Sequence, residues 1–116
     1  PMLNGRAFHG SVFHINYLYA IGGYNWGNFS NCERLSVSED RWEILPPLPK
    51  GCNSVSVVVA KETECLYVLG GFHSGSGYVY RKQDLIQRLH LGRLEWDEMP
   101  LRLPNAAGSI ACFSKE

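Results

Sequence analysis

Four histidines and four cysteines are the residues of this chain best suited to chemistry. His9 and His14 lie five apart on a segment that reads as a strand, so they point to opposite faces and do not share a metal. His73 stands beside Ser74, a pair that nucleophilic catalysis could use, but no acid sits at a recognisable triad spacing. The glycine-rich stretch 70–77 lacks the Lys-Ser/Thr pair and the following helix of a phosphate-binding loop. Cys32, Cys52, Cys65 and Cys112 form no CxxC pair, and none has a histidine at zinc-finger spacing. Cys65 and Cys112 fall inside apolar runs. All four read as reduced, mostly buried thiols of a cytoplasmic protein. We assign no catalytic residue, metal ligand or cofactor from the sequence, and His90 carries no role here. Asn28-Phe29-Ser30 matches a glycosylation acceptor, which matters only in a secreted protein.

The elements that would position these residues are short strands. Lys plus Arg and Asp plus Glu number 11 each, so the net charge is zero and no basic footprint for nucleic acid exists. No apolar run reaches the roughly 20 residues of a membrane helix. Residues 1–10 lack the basic start and apolar stretch of a signal peptide. Twelve glycines and well-spread aromatics favour tight turns between strands. No stretch has a 3.6-residue apolar period, so no helix is expected.

The chain repeats itself. Leu18-Tyr19-Ala20-Ile21-Gly22-Gly23 returns as Leu66-Tyr67-Val68-Leu69-Gly70-Gly71, and Glu33-Arg34-Leu35-Ser36-Val37 as Gln87-Arg88-Leu89-His90-Leu91. Trp42 returns as Trp96, and Pro47-Leu48-Pro49 as Arg102-Leu103-Pro104. From double glycine to tryptophan the second copy is six residues longer, which places an insertion in its loop. Each copy holds four strand candidates. These are 10–15, the run ending in Gly22-Gly23, 32–37 and 41–45, then 55–60, the run ending in Gly70-Gly71, 85–91 and 94–99. A further first strand is expected at 108–113. Arg34 and Arg88 share one phase, which predicts a hydrogen bond or ion pair repeated in each copy. The Pro-Leu-Pro segments read as structural turns.

Four antiparallel strands in about 50 residues, repeated, make a propeller blade. An apolar run, a double glycine, a gap, an apolar strand and a tryptophan resemble the kelch motif. The resemblance covers nearly the whole chain. One departure is that Leu35 and Leu89 stand seven positions before the tryptophans, where kelch repeats usually have tyrosine. The expected fold is therefore all-β, a kelch-type β-propeller fragment of two four-stranded blades plus the first strand of a third. Its expected divisions are 1–49, 50–104 and 105–116. Gly22, Gly23, Gly70, Gly71, Trp42 and Trp96 are its structural residues, the tryptophans filling the space between blades. Further blades are expected in the parent chain, so the isolated fragment should expose apolar surface and tend to associate.

The resemblance implies a protein-interaction module, an adaptor or scaffold, rather than an enzyme. The alternative is part of a propeller enzyme similar to galactose oxidase, with its catalytic residues outside this chain. In an up-and-down sheet the long connections share one face, and loops on a rigid scaffold carry binding residues disproportionately. Tyr24, Trp26, Asn28 and Phe29 crowd one such loop; His73, Tyr78, Tyr80 and Arg81 fill another. These eight are the expected contacts with a protein partner, neither nucleic acid nor membrane.

Overall fold

Two local patterns decide where the strands form. In 33–37 and 87–91 apolar residues alternate with polar ones, whereas Tyr17–Ile21, Ser56–Ala60 and Cys65–Leu69 are near-continuous apolar runs. The structure, a computed structural model, describes residues 2, 5, 6, 9–23, 30–74 and 80–105, with backbone only at 74, 80 and 81. The first antiparallel sheet has the order β1 (Gly10–His14), β2 (Tyr17–Ile21), β3 (Cys32–Ser36) and β4 (Arg41–Leu45). Next come β5 (Ser56–Ala60), β6 (Cys65–Leu69), β7 (Phe72–Ser74), β8 (Tyr80–Lys82), β9 (Ile86–His90) and β10 (Glu95–Glu98). The second sheet takes β5, β6, β9 and β10 in that order, while β7 and β8 pair only with each other.

The eight expected strands of the two complete copies are all present. Their ends are tighter than expected, because Ile15, Val37, Val55, Leu85, Leu91, Leu94 and Met99 fall outside them. Four of these residues, Ile15, Val37, Leu91 and Leu94, lie in turns, and Ile15 and Leu94 have φ of 38° and 54°. Ile15 and Asn16 (φ 69°) are both left-handed, the geometry of a two-residue hairpin turn that follows strand twist. His9 precedes β1 and is not a strand residue. The strand expected at 108–113 lies outside the described residues.

The core is the seam between the two sheets. Tyr19, Ile21, Cys32 and Leu45 of the first sheet meet Val59, Leu66, Val68 and Leu89 of the second, and Leu48, Cys52 and Val55 of the connection close it. β1 lies beside β5. At this approach a Cβ on Gly10 would come within 2.5 Å of the Val57 Cγ2 atom.

The two sheets solve one buried polar problem differently. Glu33 and Gln87 hold the same register position and are both fully buried. Glu33 pairs with Arg6, which also donates to the carbonyls of Gly22 (3.1 Å) and Asn31 (2.6 Å). Gln87 instead clasps the backbone of Lys50, accepting from its N–H at 2.9 Å and donating to its carbonyl at 3.1 Å.

Candidate functional site

The double glycines begin the long connections. Gly22, Gly23, Gly70 and Gly71 all have positive φ, with Gly23 and Gly71 at 111° and 96°. A Cβ at Gly71 would meet the Asn53 carbonyl oxygen at 2.9 Å and a Val55 methyl at 2.7 Å. Gly22 N–H donates to Asn31 O at 3.1 Å, and Gly70 N–H to Leu85 O at 2.9 Å, so both connections close by the same bond. The Leu-Pro segments repeat as well. Leu48 N–H donates to Ser30 O (2.7 Å) and Leu103 N–H to Asp84 O (2.8 Å), which ties each segment to the connection before it.

The up-and-down order puts the long connections on one face of the molecule, where they fasten to one another. Gly23 N–H reaches Cys52 O at 2.9 Å, and Asn53 exchanges two backbone bonds with Phe72. His73 Nδ1–H donates to Gly51 O at 2.6 Å. Arg102 pairs with both Asp84 and Glu98 at 3.0 Å.

The connection from 72 to 84 departs from the expected free loop. It holds a β-ribbon in which Phe72 faces Lys82, His73 faces Arg81 and Ser74 faces Tyr80 in register. Three of the expected contact residues, His73, Tyr80 and Arg81, therefore stand on one ribbon. Tyr24, Trp26, Asn28, Phe29 and Tyr78 lie outside the described residues. The stretch 74–77 of alternating Ser and Gly, with aromatic residues on both sides, is too weak a sequence signal to set such a ribbon apart from a loop.

The two tryptophans occupy equivalent strands, Trp42 on β4 and Trp96 on β10. Trp42 faces Leu35 and Trp96 faces Leu89 across the sheet. Leu89 is fully buried, so an aliphatic fills the position where the motif usually has an aromatic. Trp96 crosses the seam to donate from Nε1 to Pro46 O at 2.7 Å.

The repeated arginines form the expected repeated pairs. Arg34 faces Glu43 and bonds it; Arg88 faces Asp97 and makes two bonds, of 2.9 and 2.7 Å. Arg34 also lies 3.9 Å over the Tyr17 ring. The Arg88 hydrogen bonds hold the Asp97 carboxyl down at about 2 and push the guanidinium up. Burial pushes the Cys32 and Cys52 thiols up to about 11. Cys32, Cys52 and Cys65 are free and buried, and Cys112 is outside the described residues.

On the opposite side, among the short turns, a cavity of about 190 Å³ opens into the seam. His14, Ile15, Tyr17, Tyr19 and Arg34 line it from the first sheet, with Glu64, Leu91 and Gly92 from the second. Residues so far apart in the chain gave no local sequence signal for it.

Residues 5–49 match the profile of the Kelch motif. The chain is 30% identical over 105 residues to Kelch-like protein 38 of Rattus norvegicus, which covers 89% of this chain. Kelch-like protein 38 of Homo sapiens matches to the same extent. Kelch-like protein 7 of Rattus norvegicus is 33% identical over 72 residues, 61% of this chain. The solved structure of YjhT superposes on 92% of the chain with a TM-score of 0.78 at 14% identity, a likeness of fold. The two sheets and their seam are thus adjacent blades of a β-propeller. The chain belongs to the kelch-repeat family. It spans 17% of the length of Kelch-like protein 38 and 30% of the YjhT chain.

Proposed function

We propose that this chain is part of a protein-binding propeller, and that its long-connection face receives the partner as an adaptor or scaffold surface. Residues 1–49 and 50–104 are read as its two blades and 105–116 as the start of a third. The observation that carries the reading is the β7–β8 ribbon, which has no counterpart among the described residues of the first blade. The short turns differ by two residues at most, whereas the long-connection side carries the six-residue addition. Variation built onto a rigid scaffold is the usual mark of a binding surface. Tyr24, Trp26, Asn28, Phe29, His73, Tyr78, Tyr80 and Arg81 supply the aromatic, arginine and amide chemistry enriched at interface hot spots. The resemblance of the chain to Kelch-like proteins supports a protein partner.

The test is single alanine replacement of Trp26, Tyr78 and Arg81 in the full-length protein. Each contact at a hot spot should weaken partner binding by at least about 1–2 kcal/mol with folding intact. Three silent replacements, with binding lost on changing the short-turn residues Asp40 or Arg93, would put the site on the other face.

A further inference from the structure

The second blade carries a chain of three reactive groups that the first lacks. Cys65 Sγ lies 3.4 Å from His90 Nδ1, and His90 Nε2 lies 3.4 Å from Asp97 Oδ2. Cys65 faces His90 directly across β6 and β9, and Asp97 follows on β10. The equivalent positions of the first blade hold Tyr17, Ser36 and Glu43. The propeller fold therefore does not itself require this cluster. Arg88 holds Asp97 ionised, and the carboxylate favours the tautomer with the proton on Nε2, which leaves the Nδ1 lone pair toward the thiol. Thr63 O also lies 3.4 Å from the sulfur, an alternative acceptor for the one thiol proton. Tyr67, Arg88, Glu95 and Asp97 share this face of the sheet by register.

Access follows from the repeat. The face bearing Cys65 corresponds to the first-blade face that lines the 190 Å³ cavity, where Tyr17 stands in the place of Cys65. A following blade that packs as the second packs on the first would leave the same cleft beside Cys65. The sulfur is buried beneath His90, whose side chain is 24% exposed.

We propose that Cys65 is a reactive thiol, with His90 as its base and Asp97 as the residue that positions His90, and that it exchanges with low-molecular-weight disulfides. The thiol proton passes to His90 Nδ1 as the sulfur attacks one sulfur of the disulfide. The old S–S bond breaks, a mixed disulfide forms on Cys65, and the departing thiolate takes the proton back from the imidazolium. Cys65 is oxidised as the reagent is reduced to one thiol.

The test is the rate at which glutathione disulfide modifies each cysteine of the native full-length protein, read by peptide mass. Cys65 should react at least about tenfold faster at neutral pH than Cys32 and Cys52, buried thiols that make no hydrogen bond to a histidine among the described residues. His90→Gln should slow Cys65 about tenfold or more and make its rate climb steeply with pH, while Asp97→Asn should slow it less. Equal rates for Cys65, Cys32 and Cys52 in the wild type would overturn the proposal without any variant. A folded His90→Gln protein that keeps the wild-type rate and pH profile would overturn it as well.

Discussion

Arg6 and Glu33 show how much can hang on one residue outside any strand. Glu33 is fully buried in the first blade, and the Arg6 guanidinium pairs with it. Removing one partner of a buried ion pair leaves a charge that the interior cannot solvate. Arg6→Ala should therefore destabilise the protein by about 3 kcal/mol or more in denaturant unfolding. Adding Glu33→Gln should recover part of that loss, because the second blade already uses Gln87 at this position. A double variant no more stable than Arg6→Ala would show that charge burial is not the cause. The buried thiols give a second residue-scale expectation. Cys32 and Cys52 are held at about 11 against an ordinary 9.0, so folding binds their protons more tightly than the unfolded chain does. Their contribution is complete below pH 9 and is lost as pH rises toward 11. Each should cost roughly 2–3 kcal/mol across that window. Unfolding followed by pH should show the drop, and Cys32→Ala with Cys52→Ala should flatten it.

At the scale of the element, the double glycine is where the sequence constrains the fold most tightly. Gly71 combines φ of 96° with no room for a Cβ against Asn53 and Val55. Gly71→Ala should cost about 3 kcal/mol or more, since backbone strain and a clash add. A loss below about 1 kcal/mol would mean the connection relaxes freely. The eight blade strands were legible because short apolar runs, alternation and turn residues are local signals. The β7–β8 ribbon was not, because three-residue strands give too little alternation to tell from a loop. For the candidate face, the long connections could be read from spacing alone. That His73 is tied to Gly51 could not, since the bond joins segments 22 residues apart. Arg34 and Arg88 announced a pair by their shared phase, whereas the Cys65–His90 contact appeared only with the β6–β9 register.

At the scale of the whole molecule, both outer faces of the blade pair are unfinished. Phe13 and Ile44, on the first blade's face away from the seam, are 61% and 67% exposed. On the far face of the second blade lie Tyr67, Arg88 and the Cys65 cluster. Each blade buries its faces against neighbours, so such surfaces suit further blades in a longer chain. The two sides of the disc divide the labour. Short turns and the seam cavity lie on one, while the ribbon and the fastened connections lie on the other. The second side is the proposed docking surface. Hydrogen exchange of the full-length protein, with and without its bound partner, tests this most directly. The expected result is slowed exchange at backbone amides of residues 22–31 and 72–84, with the turns at 37–40, 61–64 and 91–94 unchanged. Protection confined to those three turns would contradict it.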